Sequence, residues 1–195
     1  MGKVTKESFL SNVAEHKLEV LLDNGLYRHL KVRNPKTSNQ WYQITTWPDY
    51  LCISGDMGCF TFSRIEDMFQ FFRDKDLGVC LQYYAEKLQA GMHYRDAEGI
   101  FKEFSIDEAK KYARELKRER ITEAGRDKDA IRKIHEDFEN LLKAEEEHEF
   151  YRELQDLDYD LCDLPDFYEF KYYYIWCCYA IAHAINLYDQ SKQSN

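Results

Sequence analysis

The densest group of reactive side chains is a block of carboxylates between Glu136 and Glu169. It contains 14 Asp or Glu residues and only two basic residues, Lys143 and Arg152, in a chain of net charge −9. Like charges at this density repel one another in a folded protein. Such a block is either a solvated surface that keeps a small protein soluble, or a surface that meets a basic partner.

We predict that this block binds a partner protein. The predicted partner-binding residues are Glu145, Glu146, Glu147, Glu149, Glu153, Asp156, Asp158 and Asp160. Acidic side chains at these positions match a basic surface, such as one that normally holds nucleic acid.

One segment of the block has the spacing of a metal site. Glu145 and His148 are in the Glu-x-x-His arrangement of di-iron helix bundles, where both side chains project from one face. Those sites need a second copy and two more carboxylates, and the sequence contains no second copy. His135-Glu136 lacks the second histidine of zinc proteases. We therefore expect no metal and no cofactor.

Motifs for nucleophilic or phosphate chemistry are missing from the sequence. It has no G-x-S-x-G, and Gly55-Asp-Met-Gly58 lacks the lysine of a P-loop, which favours a hairpin turn. His183 lies in an apolar segment, where a hydrogen-bonded core histidine is expected. The alternative to a binding protein is a small enzyme or nucleotide-binding protein whose site forms from scattered residues, such as His29, Asp56 and His183.

Five aromatic residues cluster in the first third of the chain: Trp41, Tyr42, Trp47, Phe60 and Phe62. Aromatic faces of this kind stack on single-stranded nucleic acid when cations accompany them. Few cations do so here, chiefly Lys31, Arg33 and Lys36, and the chain is acidic overall. The pattern favours core packing, and we expect no direct binding of nucleic acid.

The element that must position these groups is the C-terminal segment Tyr172–Tyr188. It has no Gly or Pro, and nearly every position is apolar or aromatic. A helix that is apolar on all sides has no face suited to water, so it is predicted to be the buried central helix. It is short for a membrane span and contains His183 and Asn186, so we expect no membrane insertion.

The N-terminal part changes its hydrophobic period. Residues 5–23 are predicted to form a helix that ends at Asn24-Gly25. The alternation that follows predicts an antiparallel meander of three or four strands, with segments Leu30–Val32, Trp41–Thr46, Leu51–Ser54 and Cys59–Phe62.

Helices are predicted for most of the remaining chain. Ser63-Arg-Ile-Glu66 and Ser105-Ile-Asp-Glu108 have the spacing of a capping box. The first predicted helix runs from residue 63 to 73, with Ile65, Met68, Phe69 and Phe72 facing the sheet, and the second from 77 to 90, with Gly91 as the stop. A third helix is predicted over 105–123. One long charged helix is predicted over 127–154, followed by an acidic loop over 157–165.

The resulting fold class is α+β. A small antiparallel sheet is packed by helices, with a buried C-terminal helix and a long charged helix. The predicted organisation is a sheet-containing part over residues 1–100, a charged helical lobe or hairpin over 101–160, and a C-terminal part over 161–195 that packs on the first, together forming one domain.

The six cysteines indicate the compartment. None forms a C-x-x-C pair, and the chain begins with an amphipathic stretch rather than a long apolar run. This pattern predicts reduced thiols and a cytoplasmic location.

Two segments carry a resemblance. The first, over residues 30–72, includes Leu30-Lys-Val-Arg-Asn-Pro and Ile53-Ser-Gly-Asp-Met-Gly; the second, over 175–189, includes Ile175-Trp-Cys-Cys-Tyr-Ala-Ile. Together they resemble a family of small proteins encoded by tailed bacteriophages and prophages. The resemblance covers about a third of the chain and implies a setting, the cytoplasm of a bacterial host, but no catalytic residues.

The first functional hypothesis is therefore a non-enzymatic phage or prophage accessory protein that binds and inhibits a host protein or nucleoprotein complex with a basic surface. A bacterial defence complex, such as a CRISPR effector, is the expected target. The second hypothesis is the small enzyme or nucleotide-binding protein whose site forms from scattered residues. The third is a self-assembling protein built on the long helix, for instance a homodimer.

Overall fold

The computed structural model of the chain describes residues 4–89 and 98–193. Within these residues it contains a five-stranded antiparallel sheet, a two-stranded sheet and a set of helices. This architecture confirms the predicted α+β class.

The strands are β1 (Lys17–Asn24), β2 (Tyr27–Arg33), β3 (Tyr42–Trp47), β4 (Tyr50–Gly55), β5 (Gly58–Ser63), β6 (Lys102–Phe104) and β7 (Tyr168–Phe170). The helices are α1 (Lys6–Val13), α2 (Met68–Phe72), α3 (Leu81–Ala85), α4 (Glu98–Phe101), α5 (Ile106–Ala124), α6 (Lys128–Lys143), α7 (Glu147–Asp156) and α8 (Tyr172–Gln193), with a 3₁₀ turn at Leu161–Asp163.

The chain divides into two compact units. Met1–Phe101 and Phe170–Asn195 together form one, which we name the sheet unit, and Lys102–Glu169 forms the other, the helical unit. Each unit has its own cluster of buried apolar residues.

The five-stranded sheet is a simple meander in the order β1-β2-β3-β4-β5. Three of the four connections between consecutive strands are two-residue turns, and β2 and β3 are joined by an eight-residue loop; every pairing is antiparallel. Asp56 and Met57 connect the paired residues Gly55 and Gly58, so the predicted hairpin turn is confirmed. The sheet has one strand more than the largest number predicted.

That extra strand replaces part of the predicted N-terminal helix. The helix ends at Val13, and Lys17–Asn24 pairs with β2 instead. Asn24 pairs with Tyr27, and Gly25 has a φ of 61°, so this Asn-Gly sequence makes a two-residue hairpin rather than a helix stop. The prediction was wrong because pairing with a neighbouring strand outweighs local helical periodicity.

The predicted central helix is confirmed. Helix α8 begins at Tyr172, as predicted, and continues to Gln193. Its buried side chains include Trp176, Ile181 and Ile185, which pack with Leu30, Ile44, Ile53 and other residues of one sheet face. The helix is not covered all round, because Tyr173 is 48% exposed.

Two predicted helix starts between the sheet and residue 90 were wrong. Ser63 is the last residue of β5, and the next helix begins at Met68, where the Asp67 side chain accepts the N–H of Phe69. Met68, Phe69 and Phe72 are buried as predicted, but Ile65 is 38% exposed.

The helix predicted over residues 77–90 is only five residues long, Leu81–Ala85. Leu77 has a φ of 54°, which a right-handed helix does not allow. The predicted stop at Gly91 lies outside the described residues.

The helical unit contains the predicted helix that follows Ser105. The Ser105 hydroxyl accepts the N–H of Glu108, and the helix ends at Ala124 before Gly125. The single long helix predicted over 127–154 was wrong, because α6 ends at Lys143 and α7 begins at Glu147.

The break lies at Ala144, whose backbone has a φ of −52° and a ψ of 135°. Leu141 and Ala144, on one side of the break, and Phe150 and Leu154, on the other, belong to the same buried cluster. A straight helix separates such residues along its axis, so tertiary packing accounts for the break.

Candidate partner-binding surface

The acidic block extends over the second half of α6, all of α7 and the segment that follows. The amphipathic pattern turns Phe138, Phe150 and Leu154 into the core of the helical unit. The charged residues between them are left toward solvent. Because the apolar side chains of these helices face the core, the carboxylates on the opposite side of each helix face solvent.

The eight predicted residues differ in exposure. Glu145, Glu146, Asp156, Asp158 and Asp160 are exposed, whereas Glu147, Glu149 and Glu153 are half-buried.

Several of these carboxylates make contacts inside the helical unit. Glu147 accepts a hydrogen bond from the Tyr168 hydroxyl. Glu149 accepts the N–H of Glu145 at 3.0 Å, and this backbone hydrogen bond lowers the pKa of the Glu149 carboxyl. Glu153 accepts from Arg152 at 2.9 Å. Of these three contacts, only that of Glu147 with Tyr168 joins α7 to another element; the other two lie within α7 or at its start.

Asp160 also has a local role. Its carboxylate accepts the N–H of Cys162 at 2.9 Å and caps the 3₁₀ turn. Glu146 lies 3.2 Å from Nδ1 of His148 across an exposed pair. Among the residues that the structure describes, the side chains of Glu145, Asp156 and Asp158 show no hydrogen-bond or ion-pair partner.

The block does not neutralise itself. Lys143 pairs with Glu139 on the same helix, and Arg152 pairs with Glu153, so both cations of the block are already engaged. Lys102, from outside the block, pairs with Asp166 at 2.7 Å. The remaining exposed carboxylates create a negative electrostatic field. This field attracts guanidinium and ammonium groups and is screened by salt.

The arrangement of these side chains does not form a metal site among the described residues. Over residues 4–89 and 98–193, no three His, Cys, Asp or Glu side chains come together as a ligand set. Nδ1 of His148 faces Glu146 rather than completing a site with Glu145.

The residues of the alternative hypothesis do not converge. His29 pairs across the sheet with Thr45, and its Nε2 lies 3.1 Å from Oε1 of Gln43. His183 contacts Tyr42, which projects from the opposite face of β3 because side chains alternate along a strand. Asp56 lies in the β4–β5 turn and accepts the N–H of Gln40.

His183 is a half-buried histidine at the edge of the core, and it is hydrogen-bonded as predicted. Its Nδ1 lies 2.7 Å from the Tyr42 hydroxyl, and its ring meets Phe9 edge-on. Burial, assisted by the nearby charge of His16, lowers the pKa of His183 to about 4. The imidazole is therefore neutral near pH 7.

The aromatic cluster divides between core and surface. Tyr42, Phe60 and Phe62 are buried, as predicted. Trp41 and Trp47 are on the opposite side of β3, where Trp47 stacks on Tyr50 at 5.3 Å, so for these two residues the core prediction was wrong. Strand alternation through Trp41–Trp47 is the signal that separates the two groups.

The cysteines agree with the sequence analysis. Cys52 and Cys59 face each other across the β4–β5 hairpin with their sulfurs 3.8 Å apart, and Cys177 and Cys178 are buried. All six carry free thiols.

Comparison with protein-family models, with curated proteins and with solved structures finds no match to this chain. In the described ranges, 4–89 and 98–193, no helix has both the length and the apolar character needed to cross a membrane.

Proposed function

We propose that this protein binds and inhibits a basic host protein or nucleoprotein complex through the acidic surface of its helical unit. The observation that carries the proposal is the display of exposed carboxylates, above all Glu145, Asp156 and Asp158, without cations from their own block to neutralise them. A folded protein tolerates such repulsion at a cost in stability, and a cationic partner relieves it.

The chemistry of the surface suggests the kind of partner. Exposed carboxylates in α7 and in the segments beside it match arginine and lysine side chains that line a nucleic-acid channel. A protein that occupies such a channel competes with the nucleic acid. The resemblance to phage and prophage proteins supports a bacterial defence complex, such as a CRISPR effector, as the target.

The first experiment identifies the partner and tests the surface together. The protein is immobilised and exposed to nuclease-treated lysate of a bacterial host, so that nucleic acid does not bridge the components. We expect one stoichiometric partner that elutes as the salt concentration rises, because exposed charge pairs are screened.

A triple variant, Glu145→Lys with Glu146→Lys and Asp156→Lys, tests the site. We expect its affinity for the captured partner to fall at least about a hundredfold, because each reversal replaces an attraction by a repulsion. The matched control reverses three exposed carboxylates of α5 in the same unit: Glu115→Lys, Glu119→Lys and Glu123→Lys.

Inhibition is measured in the host. Expression of the wild-type protein is expected to raise phage plating efficiency on a strain with an active defence system, and the triple variant is expected to lose this effect while the α5 control keeps it. The absence of a stoichiometric partner, or full activity of the triple variant, would refute the proposal.

A further inference from the structure

The loop between β2 and β3 forms a pocket with a different chemistry. The pocket has a volume of about 430 Å³. Three cations, two hydroxyl groups and one indole line it: Lys31, Arg33, Lys36, Thr37, Ser38 and Trp41. This volume is within the range of small-molecule sites, about 300–1,000 Å³.

The positive charge of the pocket is poorly compensated. Lys31 and Arg33 form no ion pair with any residue that the structure describes. Lys36 reaches only Glu15, at 3.9 Å, and both side chains are largely exposed, so this pair contributes little.

Neighbouring residues add to the imbalance. Arg33 lies opposite Lys17 in the β1–β2 pairing, and like charges in directly opposed positions destabilise a sheet. Glu19 lies opposite Lys31, and the Asp56 carboxylate accepts the N–H of Gln40, so these two acids reduce the field without cancelling it. A bound anion would offset this repulsion.

The loop is held in shape before any ligand arrives. Asn34 accepts the N–H of Lys36 at 2.9 Å, which closes the first turn. At the other end, the backbone of Gln40 bonds to Asp56 and to Nε2 of His16.

Gly55 allows the backbone of β4 to lie close to the backbone of Trp41 at the end of the loop. A Cβ at this position would lie 2.4 Å from the carbonyl oxygen of Trp41, so only glycine lets the two strands pass so closely. A preorganised loop loses less entropy on binding than a flexible one.

We propose that this pocket binds a nucleotide, with its phosphates on Lys31, Arg33 and Lys36 and its base against the indole of Trp41. Arginine and lysine are the side chains that hold phosphate, and the Thr37 and Ser38 hydroxyl groups are further donors. An indole face stacks on any base. The same chemistry is offered by a free nucleotide and by a nucleotide within a single strand.

Titration with ADP tests the site. Binding is followed by calorimetry and by quenching of tryptophan fluorescence at low salt. Arg33→Ala is expected to weaken ADP binding at least about tenfold, because one charge-assisted hydrogen bond is removed. Lys36→Ala, in the same loop, should have an effect of the same sign.

The matched control is Arg64→Ala. Arg64 is also exposed and follows β5, at the end of the sheet away from the β2–β3 loop. We expect it to bind ADP as the wild type does. Binding weaker than about 1 mM for the wild type, or equal losses for Arg33→Ala and Arg64→Ala, would overturn the proposal.

Trp41→Leu separates the base from the phosphates. This variant should bind pyrophosphate like the wild type but ADP several-fold more weakly. If ADP and pyrophosphate bind equally well to both proteins, the pocket holds phosphate alone and the assignment of the base to Trp41 is wrong.

An oligonucleotide of eight thymidines distinguishes the two sources. Tighter binding of ADP, lost in Arg33→Ala, assigns a free nucleotide. Tighter binding of the oligonucleotide, lost in the same variant, assigns a single strand. The pocket belongs to the sheet unit, so the triple variant Glu145→Lys, Glu146→Lys and Asp156→Lys should bind these ligands normally, and its failure in host assays is a separate result.

Discussion

In the sheet unit, the core joins residues from both ends of the sequence, whereas the helical unit packs one continuous segment of the chain. Trp176 of α8 meets Phe9 at 5.2 Å and Tyr42 at 5.5 Å, edge-on in both cases. The helical unit packs α5, α6 and α7 in chain order, around Phe138, Phe150 and other residues of a smaller cluster.

The two units also differ in what they leave to solvent. The sheet unit buries large aromatic rings beneath α8, while the helical unit has a smaller core and keeps a dense set of carboxylates outside. The difference teaches that mutations in the sheet unit should act first on stability. In the helical unit, surface mutations can change binding without disturbing the core.

The largest expected effect is that of Trp176→Ala. Trp176 is fully buried, so the variant should lower the free energy of unfolding by about 4–5 kcal/mol. Chemical denaturation measures the loss. Tyr173→Ala, on the same helix but 48% exposed, is the control and should change stability by less than about 1 kcal/mol. Equal losses would mean that α8 is not the organising element.

Phe150→Ala tests the smaller core. Phe150 is fully buried and lies 5.6 Å from Phe167, ring centre to ring centre, and we expect a loss of about 3–4 kcal/mol. All three tryptophans belong to the sheet unit, so tryptophan fluorescence reports that unit, while circular dichroism reports the helices as well.

The two signals should separate in this variant. The dichroism transition is expected to move to lower denaturant concentration while the fluorescence transition moves less. Gln155→Ala, exposed on the same helix, should move neither. A common shift of both signals would show that the two cores unfold as one.

The pH dependence of the sheet unit should follow His183. Its pKa is about 4 in the folded protein and near 6.5 when unfolded, so the unfolded chain binds more protons between these values. Stability is then full well above pH 6.5 and falls as the pH drops toward 4, by about 3 kcal/mol.

His183→Gln should flatten this part of the stability curve, measured as the free energy of unfolding between pH 7.5 and 4.5, roughly the window set by the two pKa values. His135→Gln, an exposed histidine of α6, should leave the curve as in the wild type. An unchanged slope in His183→Gln would show that groups other than His183 cause the acid sensitivity.

The smallest expected effect compares two serines, Ser105 and Ser63, that have the same capping-box spacing in the sequence. Ser105 caps α5, so Ser105→Ala should cost about 1 kcal/mol of unfolding free energy. Ser63 has the same S-x-x-E spacing but ends a strand, so Ser63→Ala should change stability by less than about 0.5 kcal/mol. Similar losses at both positions would contradict this assignment of the caps.

Much of the fold was predictable from particular residues. The unbroken apolar run from Tyr172 predicted α8, and the glycines flanking Asp56 and Met57 predicted the hairpin. The start of α5 followed from Ser105. These signals are local, because burial of a helix, a turn conformation and a cap each depend on a few adjacent residues.

The candidate surface was predictable only as a charge density. Eight acidic positions were proposed from the density of carboxylates, and the structure gives three of them, Glu147, Glu149 and Glu153, contacts within their own unit. The basic pocket was missed as a site, because Trp41 was assigned to the core together with Tyr42. Alternation along β3 places these neighbours on opposite faces.

By itself, the sequence determined which segments must be buried, where several turns and caps fall, and where negative charge accumulates, since these depend on side-chain type and short-range geometry. Only the tertiary structure decided that residues 17–24 form a strand, that the helix predicted over 127–154 breaks at Ala144, and that Lys31, Arg33 and Lys36 gather beside Trp41. Each of these outcomes depends on pairing with another strand or on packing into a shared core, and neither is encoded in local periodicity.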